Sequence, residues 1–138
     1  MRELPRQLTI DELAGLFSGR TPIVERLAAY ENPLGVARDV VRDASEDEKA
    51  QALAAHPRIG ERSTEQHGDD ACVLVELAAL NRAYEAKFGF RFVVFVNGRS
   101  RAELVPVLRR RLGRTRPEEL DTGCADLVSI ALDRWQKG

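Results

Sequence analysis

Apolar residues recur along this chain at intervals of three and four, and most such runs open on a hydroxyl residue with a glutamate three positions later. Thr9/Glu12, Ser45/Glu48, Ser100/Glu103 and Thr115/Glu118 all read as capping boxes. In each, the hydroxyl oxygen accepts from an unpaired N–H of the first turn, and the carboxylate accepts from the N–H of the cap residue. The runs behind them keep helical spacing: Leu13, Leu16 and Phe17 in the first, and Leu120, Cys124, Leu127, Ala131 and Trp135 in the last. Thr21-Pro22 marks a further start, because proline at the first helical position gives up an N–H that has no partner there. The helix it opens is expected to carry Ile23, Leu27 and Tyr30. The longest run begins near Asp70, puts Leu74, Leu77, Ala78, Asn81, Tyr84 and Phe88 on one face, and stops at Gly89.

Two stretches break the pattern. Pro106 falls inside the segment after Ser100, so that helix either starts later or kinks there. Phe92-Val93-Val94-Phe95-Val96 has the β-branched and aromatic content of a strand. A lone strand without a partner is not a stable sheet. The run is therefore expected to be a short buried passage, extended or helical, within an all-α protein. No internal repeat, low-complexity tract or linker appears, and 138 residues can bury a core without staples. The expectation is one compact all-α domain over residues 1–138, of about six to eight helices.

Charge narrows the partners. The formal net charge is −1, and carboxylates match the arginines throughout, which argues against nucleic acid as the main partner. The one short basic run, Arg109-Arg110-Arg111, reads as a solvated helix face. Cys72 and Cys124 stand far apart in apolar surroundings with no C-x-x-C pattern, as expected of buried free thiols in a reducing compartment. MRELPRQLTIDEL lacks the apolar centre of a signal peptide, and no apolar run approaches the roughly 20 residues that span a bilayer. The final Gln136-Lys137-Gly138 is not a peroxisomal tripeptide. A cytoplasmic protein with no membrane partner is expected.

The candidate chemistry lies in AHPRIGERSTEQHGDD, residues 55–70, which holds both histidines. Read structurally, a helix ends at Ala54-Ala55 because a residue before proline is pushed out of the α region; Gly60 then supplies a turn and Ser63-x-x-Gln66 starts the next helix. Read chemically, His56 is stiffened by Pro57 at a helix end and placed to exchange protons near neutral pH, with Glu65 nine residues on to orient it or act as its partner. His56, Glu61, Glu65, His67, Asp69 and Asp70 could all ligate a metal, but neither histidine has a ligand partner at i, i+4 and adjacent acids are common on surfaces, so no metal is expected. There is no G-x-S-x-G elbow and no glycine-rich phosphate loop. Local reasoning ends at a proton-transfer candidate without a substrate. Elsewhere, Arg134 reads from its position as a charge opposing a helix dipole. Asn97 and Arg99 read as a polar turn leading to the Ser100 cap or as groups at a cleft rim, and Asn81 and Tyr84 as buried, hydrogen-bonded polar residues.

Three separated blocks, in order, resemble one family. AHPRIG followed by Glu65-Gln66, then LNRAYEAKFGFRFVVFVNGRS, then a closing IALDR, are similar to the OHCU decarboxylases. That family acts on 2-oxo-4-hydroxy-4-carboxy-5-ureidoimidazoline in urate breakdown and forms (S)-allantoin. The likeness runs from about Leu13 to about Trp135 and implies an all-helical fold. It implies His56 as the catalytic histidine, Glu65 as its acidic partner and Arg134 as a substrate ligand, with Pro57 and the main chain around Val94 bordering the substrate ring. The family's serine usually stands three residues before the Glu-Gln pair; here Arg62 holds that position and Ser63, one residue closer, is the candidate ligand. The loop before Glu65 and the stretch between Gln66 and Leu80 are also short.

The resemblance further implies a homodimer and chemistry without cofactor or metal. The substrate's C=N bond adjoins the carbon bearing the carboxylate and can take the electrons released with CO2. No lysine stands near the motifs to form a Schiff base, the chain having only Lys49, Lys87 and Lys137. His56, supported by Glu65, would remove or relay the proton of the 4-hydroxyl. The displaced serine and short loop leave open a helical binding module on this scaffold that has lost efficient turnover, and a related lyase acting on another ureido acid is a third reading.

Overall fold

The computed structural model describes residues 3–4, 7–58 and 71–137. Among these, seven helices follow one another: α1 (Ile10–Leu16), α2 (Pro22–Leu27), α3 (Pro33–Asp43), α4 (Glu46–Ala54), α5 (Ala71–Phe88), α6 (Arg101–Leu112) and α7 (Arg116–Lys137). The boxes at Thr9, Ser45 and Ser100 are made in full, and Thr115 with Glu118 starts α7. α3 has the same Asn32-Pro33 opening that Thr21-Pro22 gives α2. The Ser100 cap prevails over Pro106: α6 starts at its cap and runs through the proline.

The 22 residues of α7 form the common wall of two apolar cores. Cys124, Leu127, Val128 and Ala131 face α1, α2 and α3, whereas Leu120 and Ile130 face α5, α6 and the passage between them. On α5 the buried stripe is Leu77, Asn81, Tyr84 and Phe88. Leu74 and Ala78, expected on it, are exposed: at 100° per residue Ala78 lies about a quarter turn from the stripe and Leu74 at its edge. Cys72, on the opposite side of the helix, is exposed, so only Cys124 is a buried thiol, and burial pushes it up to about 12. α2 stops at Leu27, leaving Tyr30 in the following turn and 40% exposed rather than on the helix's core face.

Gly89, at φ +81°, ends α5 and turns the chain so that Phe90 and Phe92 return onto Tyr84 and Phe88. A Cβ there would meet no atom within 4 Å, so a Gly89→Ala variant should lose stability through backbone strain alone, by about 1–2 kcal/mol in urea titration.

The strand-like run 92–96 is neither helix nor strand, and several of its peptide groups bond to side chains instead of a ladder. Arg111 Nη1 donates to the Val93 carbonyl at 3.0 Å, Phe95 N–H donates to Asp126 Oδ2 at 3.0 Å, and Arg99 donates to the carbonyls of Phe95 and Val96. Arg111 is thus not part of a solvated face. Arg109 and Arg110 are exposed, but Arg111 turns inward, 4% exposed, because Glu119 waits there fully buried. Glu119 accepts from Arg111 Nε at 2.7 Å, from Arg114 Nη1 at 3.0 Å and from the Tyr84 hydroxyl at 2.7 Å, and the Arg111 guanidinium lies 4.5 Å over the Phe92 ring.

Candidate functional site

His56 follows the last turn of α4, as the proline after it requires. Its N–H bonds back to the Leu53 carbonyl, and Arg91 Nη1 clamps the turn by donating to the carbonyls of Ala54 at 2.8 Å and His56 at 2.6 Å. Two residues on, Arg58 grips Glu85 of α5 through two parallel bonds of 2.7 and 3.0 Å, which hold the Glu85 carboxyl below its usual range. The helix end, not the side chain, is what these arginines fix. The imidazole that results is 4% exposed.

One ring nitrogen, Nδ1, lies 3.2 Å from the hydroxyl of Ser18, in the turn after α1. The same hydroxyl accepts from Arg134 Nη1 at 2.7 Å. That guanidinium group also donates to the Leu16 and Gly15 carbonyls at 3.0 and 3.4 Å, which are otherwise open acceptors at the end of α1. Arg134 therefore closes the end of another helix rather than its own, and burial lowers its pKa. Burial first, then the charges of Arg134 and Arg91, push His56 down to about 4. At neutral pH the ring is an uncharged imidazole. Its other nitrogen, Nε2, is buried and has no hydrogen-bond partner among the described residues.

Arg134 also lines an open cavity of about 610 Å³. The 94–99 passage forms one wall, and Ile130, Asp133, Arg134 and Lys137 of α7 form the other. Val94, Asn97 and Arg99 thus share a cavity with Arg134, and the passage that sequence composition marked as a strand serves as the cavity's wall. Lys87 lies within the second motif, and Lys137 stands in the cavity, contrary to the expectation that no lysine lies near the motifs. Lys137 is 76% exposed and paired with Asp133 at 3.0 Å, whereas a Schiff-base lysine needs a desolvated amine.

Of the expected site residues, the fold joins His56 to Arg134 through Ser18, and Arg134 to Val94 along the cavity. Pro57 is exposed on the segment leaving His56. Glu65 and Ser63 lie outside the described residues, as do Glu61, His67, Asp69 and Asp70. Sequence reasoning missed Ser18, which belongs to no motif, and gave no role to Arg58 and Arg91, which lie within the first and second motif blocks. Arg91 carried a further local sign, a charge between two buried phenylalanines.

A family model described as OHCU decarboxylase matches residues 2–136. The chain is 28% identical over 144 residues to the uric acid degradation bifunctional protein TTL of Arabidopsis thaliana, a match that covers 91% of this chain and 43% of the relative. It is 27% identical over 111 residues to the 2-oxo-4-hydroxy-4-carboxy-5-ureidoimidazoline decarboxylase of Halalkalicoccus jeotgali, covering 72% of this chain and 63% of that protein. The chain thus spans less than two thirds of the length of either relative. Among solved structures it is similar to an OHCU decarboxylase crystallised in the presence of (S)-allantoin, with a TM-score of 0.79, 26% identity, and coverage of 91% of this chain and 96% of that one.

Proposed function

This chain belongs to the OHCU decarboxylase family, and from that premise we propose that it converts 2-oxo-4-hydroxy-4-carboxy-5-ureidoimidazoline to (S)-allantoin. The observation that carries the reading is an uncharged, buried imidazole joined through one hydroxyl to a guanidinium that lines a cavity. The substrate is an anion whose scissile carboxylate sits beside a C=N bond. When the C–C bond to the carboxylate breaks, its electron pair forms a C=C bond to the imine carbon, the displaced π pair moves to the imine nitrogen, which takes up a proton, and CO2 departs, so the reaction needs no further electron sink. Proton traffic, orientation and exclusion of water are left to the protein.

Arg134 supplies a fixed positive charge and charge-assisted hydrogen bonds to the substrate's oxygens, each about twice as strong as a neutral bond. His56 handles the proton at Nε2, the buried ring nitrogen without a hydrogen-bond partner among the described residues. The enol formed by loss of CO2 loses its hydroxyl proton and gains one at the neighbouring carbon; protonation on one face gives the (S) product. Glu65 enters by family position alone, as the acidic partner of the imidazole. Val94 and the 94–96 wall border the ring, held in shape by Arg111 and Asp126.

The test is a reaction in which urate oxidase and hydroxyisourate hydrolase generate the substrate in place, followed by circular dichroism of the product. Addition of the protein should speed the appearance of optically active allantoin. A slow, racemic product at the uncatalysed rate would reduce the chain to a binding module and end this proposal.

A further inference from the structure

Helix α1 ends in a turn that favours glycine at one position, and a serine occupies it. The N–H of Gly19 reaches back to the Ala14 carbonyl at 2.9 Å, the long bond of a Schellman ending. Ser18, the residue enclosed by that bond, has φ +65°, in the left-handed region where any Cβ is penalised, while the adjacent Gly19 does not adopt it. The side chain at this unfavourable backbone position makes two bonds that no glycine could make.

Their polarity follows from the donors available. A guanidinium has no acceptor, so Arg134 Nη1 must donate to the Ser18 oxygen. The hydroxyl hydrogen is then left to point elsewhere, and His56 Nδ1 is the other polar atom paired with that oxygen. A hydroxyl that accepts from a cation is a stronger donor in turn. With Nδ1 accepting, the single proton of a neutral ring resides on Nε2.

We infer that Ser18 is a positioning residue: by accepting from Arg134 and donating to His56 Nδ1, it holds the imidazole as the Nε2–H tautomer. The inference rests on the reading of His56 as the reacting group. Nε2–H is then the ring's one donor without a partner among the described residues, a neutral group suited to the negative charge that develops as CO2 leaves. Among the described residues, the charges felt by the ring are Arg134 from α7 and Arg91 from the passage after α5. The turn after α1 contributes only the Ser18 hydroxyl.

Ser18→Gly and Ser18→Ala separate a hydroxyl role from a backbone role. Both remove the oxygen, but glycine relaxes the left-handed turn and alanine leaves it strained. The glycine variant should therefore melt at a higher temperature than the alanine variant. Both should nonetheless lose about tenfold in kcat, the equivalent of one hydrogen bond of ordinary strength. The direct readout is nitrogen NMR of protein labelled in its histidine rings, with the His56 signals assigned by their loss in His56→Gln. The wild-type ring should show an unprotonated Nδ1 and a protonated Nε2, and both Ser18 variants should lose that bias. A wild-type ring protonated at Nδ1, or variants with unchanged ring signals and full turnover, would overturn the assignment. Should the wild-type chain show no turnover, the proposed reaction fails, and the ring spectra still decide the role of Ser18.

Discussion

A His56→Gln variant is expected to keep the helical circular dichroism of the wild type and to lose about 10²- to 10⁴-fold in the rate of (S)-allantoin formation, the usual contribution of one positioned acid–base group. Retention of the full rate would remove His56 from the chemistry. The same variant tests the electrostatics of the site. The imidazole titrates near 4 in the folded protein, against an ordinary value of 6.5. Between those values the unfolded chain binds a proton that the folded one refuses. Stability is therefore complete above pH 6.5 and declines as the pH falls through 4, with a total loss on the order of 3 kcal/mol. Urea titrations at pH 7 and pH 4.5 should show this loss in the wild type and a smaller one in His56→Gln. Turnover should not fall across pH 6.5 as it would with an exposed histidine, because the ring stays neutral well below that point.

The second large effect is expected far from any reacting atom. Glu119 is fully buried and accepts from three side chains, and Arg111 is nearly so. Arg111→Met leaves a carboxylate in the core without its closest cation, which typically costs about 3–5 kcal/mol. For a chain of this length, that amounts to roughly 10 °C or more in melting temperature. The variant should also raise KM more than it lowers kcat, since Arg111 holds the Val93 carbonyl and with it the cavity wall. Replacing Glu119 by leucine in the same variant should restore part of the stability, although the Tyr84 hydroxyl then loses its acceptor. Equal stability of Arg111→Met and the wild type would show the buried cluster to be energetically idle.

Both variants bear on what the chain discloses before it folds. Helix starts are legible because a cap and its glutamate lie three residues apart and interact whatever else surrounds them. Thr9, Ser45, Ser100 and Thr115 needed no tertiary context. His56 is legible for the same reason, through the proline beside it. Burial is less so. Arg111 looks like Arg109 and Arg110 until Glu119 is seen beneath it, eight residues away across a helix junction. Leu74 and Ala78 are apolar and near the right phase, yet the stripe of α5 is centred on Leu77, Asn81, Tyr84 and Phe88. The run 92–96 has strand composition, and only the positions of Arg111, Asp126 and Arg99 explain how its peptide groups do without a ladder. Ser18 was invisible: nothing in Phe-Ser-Gly-Arg tells that the hydroxyl meets a ring 38 residues on.

The bond from Arg134 to Ser18 spans 116 positions of sequence. Closing so wide a loop is among the late events of folding, since local helices form in a small fraction of the time needed for distant segments to meet. Each half of the protein can therefore acquire its helices before that contact closes. The contact itself forms only when the last turns of α7 settle against the end of α1. Hydrogen exchange of the amides at the two helix ends should report how often that seam opens.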